Sequence, residues 1–319
     1  MYSIRKYRAE DFHPVLDFYN KYGTVRHVTE RMWKRLVLLD SNFDPSLFAV
    51  AEDDDGSILG LIYLIRRLVP IDPGATTEDD RLWINAFAVK PEHLDTIGLE
   101  LLAYADRTAA AYDRTFLIMS DYTPNYFSQG VDVVHFPQYV SLFERCGFEV
   151  VEDSNSMGLS LIGYSFSKES LEYKTLLAKE GIEFSVLSEE DILKTFDYIR
   201  EHHRPGWAHR LRKLLLDNDD LGRVHIVKHE GKVIGFSMYG DVDTDIQRFG
   251  PFGVSSEYRG KKIGRVLLEE TLHDMQKAGL EYVWLQHADG KVAPILYRSI
   301  GFKETGEYYT LKKSYGNNK

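Results

Sequence analysis

The sequence predicts a mixed α/β protein built as two copies of one plan, each with helices around a single sheet. Three observations carry this. The chain has 319 residues, more than one ordinary core accommodates. One order of apolar patterns recurs: strand, helix or helices, three strands, helix, strand, helix, strand. Finally, "KPEHLDTIGLELLAYA" (90–105) and "SSEYRGKKIGRVLLEETL" (255–272) are the same junction. In each, a strand ending in Val meets a short linker and then Ile-Gly opening an apolar helix.

"YSIRKYRAEDFHPVLDFYNKY" opens the first copy and "IEFSVLSEEDILKTFDYIREH", from Ile182, the second. Each reads as an alternating strand followed by a helix, with Asp11 and Asp191 placed to cap it. "LFAVAEDDDGSILGLIYLI" and "RVHIVKHEGKVIGFSMYG" read as hairpins turning at Gly56 and Gly231. The third strands are "LWINAFAV" and "RFGPFGV", followed by the junctions above. Buried strands "RTFLIMS" and "EYVWLQH" come next. Each copy then closes with a short helix stopped by Gly147 or Gly301 and a final strand. The reading gives a first domain over 1–165, a helical connector over 166–181 and a second domain over 182–319. An aromatic insertion in copy one, with Tyr122, Tyr126, Phe127, Phe136 and Tyr139, has no counterpart in copy two and reads as a loop tied to its own domain.

Hydrophobic residues make up 44% of the chain and charged residues 28%, as in soluble globular proteins. No apolar run approaches a membrane span, and the N-terminus lacks the apolar core of a secretory signal. Cys146 is the single cysteine, so no internal disulfide forms. These features fit a reducing cytoplasm. The net charge of −10 disfavours nucleic acid and leans toward cationic small molecules.

The two junctions differ in charge. The second carries Arg259, Lys261, Lys262 and Arg265, with Gly260 and Gly264 bracketing the helix start; the first has only Asp95 beside Gly98. A helix N-terminus exposes unpaired N–H groups and a partial positive charge, and glycine lets a ligand approach the backbone. Only the second turn should therefore hold a phosphate. It is neither a Walker loop nor a dinucleotide fingerprint.

With "LYRSIGF" some thirty residues further on, residues 182–315 resemble the GCN5-related N-acetyltransferase (GNAT) superfamily, and residues 1–165 resemble it in layout. The matching segments are Arg259-Gly260-Lys261-Lys262-Ile263-Gly264, where Lys262 replaces a family glycine, then Ala293, Leu296-Tyr297 and Gly301-Phe302. Gly290, with Asp289 beside it, stands where the family often has Asn.

The resemblance implies two acyl-CoA N-acyltransferase-like domains, each a mostly antiparallel sheet with two strands splayed apart. It implies acetyl-CoA as donor, its pyrophosphate on residues 260–265 and its pantetheine arm along Phe252, Gly253 and Val254. Asp289, Ala293 and Leu296 would line the arm. Pro251 suits a bulge beside the splay.

Acetyl transfer to an amine needs a proton acceptor, a donor to the developing oxyanion and an acid for the leaving thiolate. The backbone N–H of Gly253 or Val254 is the oxyanion donor. Tyr297 matches the family's tyrosine and is the general acid, a phenol of pKa about 10 suiting a thiolate of about 8.5. Asp243 and His209 are the base candidates, with Asp241, Asp245, His202 and His203 in the same two clusters and His287 and Asp289, past the strand "YVWL", as further ones. Trp207 and His203 would wall the acceptor site. The His spacing does not match a zinc helix, so no metal is expected. The reading is an acetyl-CoA-dependent N-acetyltransferase acting on a small cationic amine, catalytic in copy two, as monomer or homodimer. A non-catalytic acyl-CoA sensor and a tRNA-dependent aminoacyl transferase are the alternatives.

Overall fold

The structure, a computed structural model, describes residues 1–120, 122–123, 127–240, 245–288 and 293–316. It divides into two compact units, Met1–Ser154 with Gly306–Lys319, and Asn155–Thr305. The repeat in the sequence divides at 165 and 182, so the compact units and the sequence copies do not coincide.

The first unit runs β1 (Tyr2–Lys6), α1 (Phe12–Tyr22), α2 (Glu30–Trp33), β2 (Phe48–Asp53), β3 (Ile58–Ile65), β4 (Arg81–Val89), α3 (Leu99–Ala111), β5 (Phe116–Met119), β6 (Val131–Asp132), α4 (Pro137–Arg145) and the start of β7 (Glu149–Ser160). The second runs on through α5 (Lys168–Lys179), β8 (Ile182–Val186), α6 (Ile192–His202), α7 (Pro205–Asn218), β9 (Val224–His229), β10 (Lys232–Tyr239), β11 (Phe249–Val254), α8 (Ile263–Lys277), β12 (Tyr282–Ala288), α9 (Ala293–Ile300) and the start of β13 (Lys303–Ser314).

In the first unit β1, β2, β3 and β4 pair antiparallel in sequence order, and β5 joins β4 in parallel. The next neighbour of β5 comes from the far end of the chain: Leu311–Ser314 of β13 pair with Met119–Phe116. In the second unit β8, β9, β10 and β11 form an antiparallel sheet. There β12 takes its partner from the end of β7, with Val283 opposite Leu159 and Leu285 opposite Met157. Each unit is thus completed by a final strand from the other sequence copy. A repeat read from sequence leaves this open, because a strand's pattern fixes its faces and not its neighbour.

Local chemistry explains the shared layout. Asp53 accepts the N–H groups of Asp55 and Ser57 and shapes the β2–β3 turn, where Gly56 takes φ +80°. Glu230 and Gly231, at φ +50° and +76°, make the two-residue turn between β9 and β10. Core side chains of β2–β5 in the first unit, such as Ala49, Ile62 and Phe87, pack on α3 and α4 through Leu101, Leu142 and Phe143. The aromatic insertion is held inside its own unit: Phe127 lies against Tyr19 and Trp33, and Tyr139 donates to Tyr22 and accepts from the Val89 N–H. Tyr126 lies outside the described residues.

Asp11 and Asp191 do occupy the residue before their helices, but neither carboxylate accepts an N–H of the helix that follows; Asp11 instead accepts the Arg8 N–H one turn back at 2.7 Å. Asp11 takes both ends of the Arg5 guanidinium at 2.6 and 2.8 Å. Asp191 takes Lys194 and Lys228, each at 2.8 Å. Both carboxylates are buried, and a cation satisfies a buried charge better than a neutral N–H does. Cys146 ends α4 half-buried against the core, and burial pushes its thiol up.

Candidate active site

The site of interest lies in the second unit, where β11 leaves its neighbours. Opposite β10, Ser237 faces Phe252 but Tyr239 faces Phe249, so Gly250 and Pro251 sit at a register shift. On its other side β11 meets β12 only at its start: Arg248 bridges Trp284, and the Trp284 N–H donates to the Gln247 carbonyl at 3.1 Å. Beyond that bridge the two strands belong to different sheets. The result is a V-shaped gap with one edge of β11 open.

The ladder fixes which atoms line the gap. Ser255 donates its N–H to Ile234 at 2.9 Å, and Gly253 stands opposite Phe236. Antiparallel pairs alternate, so Gly253 turns its backbone groups toward β10, and Phe252 and Val254 turn theirs into the gap. Of the two expected oxyanion donors, Val254 is therefore the one facing the gap.

The open edge leads into the charged turn. Arg259, Gly260, Lys261 and Lys262 are exposed, and Ile263 is buried as the first residue of α8. Gly260 takes φ +83° and Lys262 φ +66°. Left-handed residues ahead of a helix are the backbone arrangement in which successive N–H groups could hold an anion. Lys262 holds the conformation that a glycine would adopt freely. The first unit's counterpart is closed: Leu94–Gly98 wind as a π-helical turn straight into α3, and Asp95 pairs with Arg145 at 2.6 Å.

The cationic side chains of the open turn are unequal. Lys261 reaches Glu180 at 3.3 Å and Lys262 lies over the Tyr173 ring. Arg259 makes no ion pair among the described residues. Arg265 is already engaged, by Glu169 at 3.1 Å, Glu269 at 3.2 Å and Ser170. Glu269 is itself buried and takes Ser167 and Ser170, so Arg265 completes a buried network.

Two walls flank the gap. On the α8 side a Cβ at Gly264 would stand 3.5 Å from Phe252 and 3.8 Å from both Leu296 and Val254. Ala293 and Leu296 pack there, and Tyr297 is buried with its ring 6.3 Å from those of Phe249 and Phe252. On the opposite side His203 stacks on Trp207 at 4.4 Å, and both rings cover Gly253. His203 Nε2 lies 3.1 Å from the Tyr198 hydroxyl. Burial, then His202 and Arg259, lower the His203 pKa to about 4, so its imidazole is neutral at pH 7.

The comparisons with known proteins follow this geometry. Residues 220–304 match the model of an acetyltransferase (GNAT) domain. Over 86 residues the chain is 30% identical to the [ribosomal protein bS18]-alanine N-acetyltransferase of Escherichia coli K12, covering 27% of this chain and 55% of that protein. The chain thus spans about half the length of the curated relatives it matches. A tandem GNAT protein from the clavulanic acid biosynthesis pathway aligns over 100% of both chains, with TM-score 0.61 and 15% identity. This chain has the tandem GNAT fold. A GNAT from Sphaerobacter thermophilus aligns with TM-score 0.73 and 15% identity over 98% of this chain and 95% of that one. The glucosamine N-acetyltransferase region of a fungal multi-domain β-N-acetylglucosaminidase aligns at 0.77 and 14%, over 98% of this chain and 38% of that one.

Within the GNAT framework, the structure gathers Phe252, Val254, Gly260, Ile263, Gly264, Ala293, Leu296 and Tyr297 around the gap and its turn. Trp207 and His203 meet on the opposite face. His209 lies further along α7, half-buried. His202 is exposed beside the Tyr198 ring. Asp245 accepts the Trp284 indole N–H at 2.8 Å and so anchors the closed end of the gap. Asp241, Asp243, Asp289 and Gly290 lie outside the described residues. Sequence reasoning missed Tyr198, Trp284 and Arg210, which donates to the Gly250 carbonyl at 3.0 Å. The partners of Trp284 and Arg210 lie about 40 residues away in sequence, and no local spacing marks any of the three.

Proposed function

We propose that this protein is an acetyl-CoA-dependent N-acetyltransferase that works in its second GNAT unit on the primary amine of a small cationic molecule. The observation that carries the reading is continuity: the open N–H groups of Phe252 and Val254 run directly into the exposed turn of Arg259, Gly260, Lys261 and Lys262. An extended amide-bearing arm ending in a diphosphate matches that sequence of donors and charges. Acetyl-CoA would supply the acyl thioester. The Phe252 and Val254 N–H groups would hold amide and acyl oxygens, Val254 acting as oxyanion donor. Tyr297 would donate its phenolic proton to the departing sulfur. Neutral His203, stacked on Trp207, offers a cationic amine an aromatic wall without like charge.

The matched relatives support an amine acceptor. One is named for an alanine of a ribosomal protein and one for glucosamine, both primary amines. The acidic net charge of −10 supports a cationic acceptor. In this reading the first unit performs no acetyl transfer.

The test is free-thiol release from acetyl-CoA against a panel of polyamines, amino sugars and amino acids. Release with at least one amine, cut at least about tenfold in kcat by Tyr297→Phe with donor affinity unchanged, is expected. Tight donor binding with no release from any amine would instead favour the non-catalytic sensor.

A further inference from the structure

We infer that the first unit holds a ligand site of its own, at the mouth of its β4–β5 gap, for a small carboxylate gripped by Arg67 together with Tyr63 and Asn85. The gap arises as in the second unit. β5 pairs with β4 only from Arg81 to Ile84, and Ser120 makes the last bond, to the Ile84 carbonyl at 3.1 Å. At that level β4 carries an extra residue: Tyr63 faces Ala86 and Leu64 faces Ile84, leaving Asn85 as the bulge. The closed, π-helical turn ahead of α3 offers no phosphate seat, so the gap is not a second copy of the acetyl-CoA site.

Five polar atoms on β3, on β4 and just after β3 lack partners while having almost no contact with solvent. They are Nε and Nη1 of Arg67, both amide atoms of Asn85, and the Tyr63 hydroxyl. Arg67 is 2% exposed, Asn85 1% and Tyr63 0%. More than about nine in ten buried polar groups in folded proteins are hydrogen-bonded, and N–H groups of a buried guanidinium left without acceptors are costly exceptions. Only Nη2 of Arg67 is engaged, by the Thr123 carbonyl at 2.9 Å and Glu78 at 3.1 Å, and Glu78 is shared with Arg81.

The surroundings define the ligand. The Arg67 guanidinium lies 5.0 Å from the Trp83 ring and 5.1 Å from the Tyr122 ring, and these rings meet edge-on at 5.4 Å. Trp83 is two residues from Asn85 on β4. The Tyr122 hydroxyl is fixed by Asn42 at 2.8 Å and Asp40 at 2.9 Å. Burial and Asp40 hold the Tyr63 hydroxyl well above its ordinary value, so it stays a donor. Two guanidinium nitrogens, a phenol and an amide N–H all seek acceptors, which a carboxylate supplies. The Asn85 oxygen would in addition favour a ligand bearing an amino group.

Calorimetry on the full chain, with sodium benzoate and L-phenylalanine as probes and benzamide as the uncharged control, tests this. At least one carboxylate should bind with Kd below about 1 mM while benzamide does not. Arg67→Met should weaken that binding at least about tenfold, and Asn85→Leu or Tyr63→Phe at least about threefold. Arg259→Ala, in the second unit, should leave it unchanged. Tighter binding of L-phenylalanine than benzoate would assign the amino group to Asn85. If neither carboxylate binds up to about 10 mM, water satisfies these atoms and the inference fails. It also fails if binding survives all three first-unit substitutions or is lost in Arg259→Ala. Because thiol release is not read, this outcome is independent of the acetyl-transfer reading.

Discussion

Arg265 and Glu269, one turn apart on the helix behind the cationic turn, form an ion pair at 3.2 Å whose carboxylate is 2% exposed. That pairing separates two arginines which look equivalent in sequence. Arg259→Ala should weaken acetyl-CoA binding at least about tenfold by calorimetry. Arg265→Gln should change it less than about threefold, yet lower the melting temperature by leaving Glu269 buried without its charge partner. The opposite ranking would remove Arg259 from the anion site.

Lys262 sits at φ +66° immediately before α8. A left-handed conformation costs a non-glycine residue about 1–2 kcal/mol. Lys262→Gly should therefore raise thermal stability while weakening the donor through loss of one charge. Lys262→Ala should lose the charge without the gain in stability. Equal melting temperatures for the two variants would show that the backbone there carries no strain.

Gly253 is constrained by its neighbours rather than by its own dihedrals. A methyl group there would stand 2.5 Å from His203 and 3.1 Å from Trp207, which are already stacked on each other. Gly253→Ala should destabilise the second unit by about 1–3 kcal/mol in urea unfolding and displace His203. Its effect on KM for the acceptor should exceed its effect on donor affinity. A variant as stable as wild type would mean the two rings move freely.

His203 supplies a pH signature. Its folded pKa near 4 lies below the ordinary value of 6.5, so between these values the unfolded chain binds the proton more readily. This histidine's contribution is complete above pH 6.5 and is lost as pH falls toward 4. Melts of wild type and His203→Gln should therefore converge as the pH is lowered through that window. Asp191, held at about 2 by Lys194 and Lys228, adds a separate loss below pH 3.8 that His203→Gln should retain. Parallel stability curves for the two proteins from pH 4 to 6.5 would contradict the burial of the neutral ring.

Much of this was legible from local pattern. The hairpins at Gly56 and Gly231, the closed and open versions of one junction, and the buried Leu-Tyr segment of α9 depend on residues near one another in sequence. What stayed hidden depends on pairings that local pattern does not single out. Arg265 reads as one more cation until Glu269 and Ser170 surround it. Asp11 and Asp191 read as helix caps until Arg5 and Lys228 arrive from neighbouring strands. The orphaned amide of Asn85 has no signature in "LWINAFAV" beyond a polar residue in an apolar strand, which a bulge and a core hydrogen bond would explain equally well.

The crossing of β7 and β13 bears on how the chain acquires its shape. Leu311 is fully buried among residues of α3, α4 and β2–β5, and Lys313 holds Asp106 on α3 at 2.8 Å. These residues are synthesised after all others of the unit they complete. During translation the N-terminal half must wait, with one side of β5 bare, while some 150 residues of the other unit are made. A protease cut or domain dissection between the copies would not release two self-sufficient halves, and a cell making this protein has an unfinished sheet edge to shield until the last strand docks.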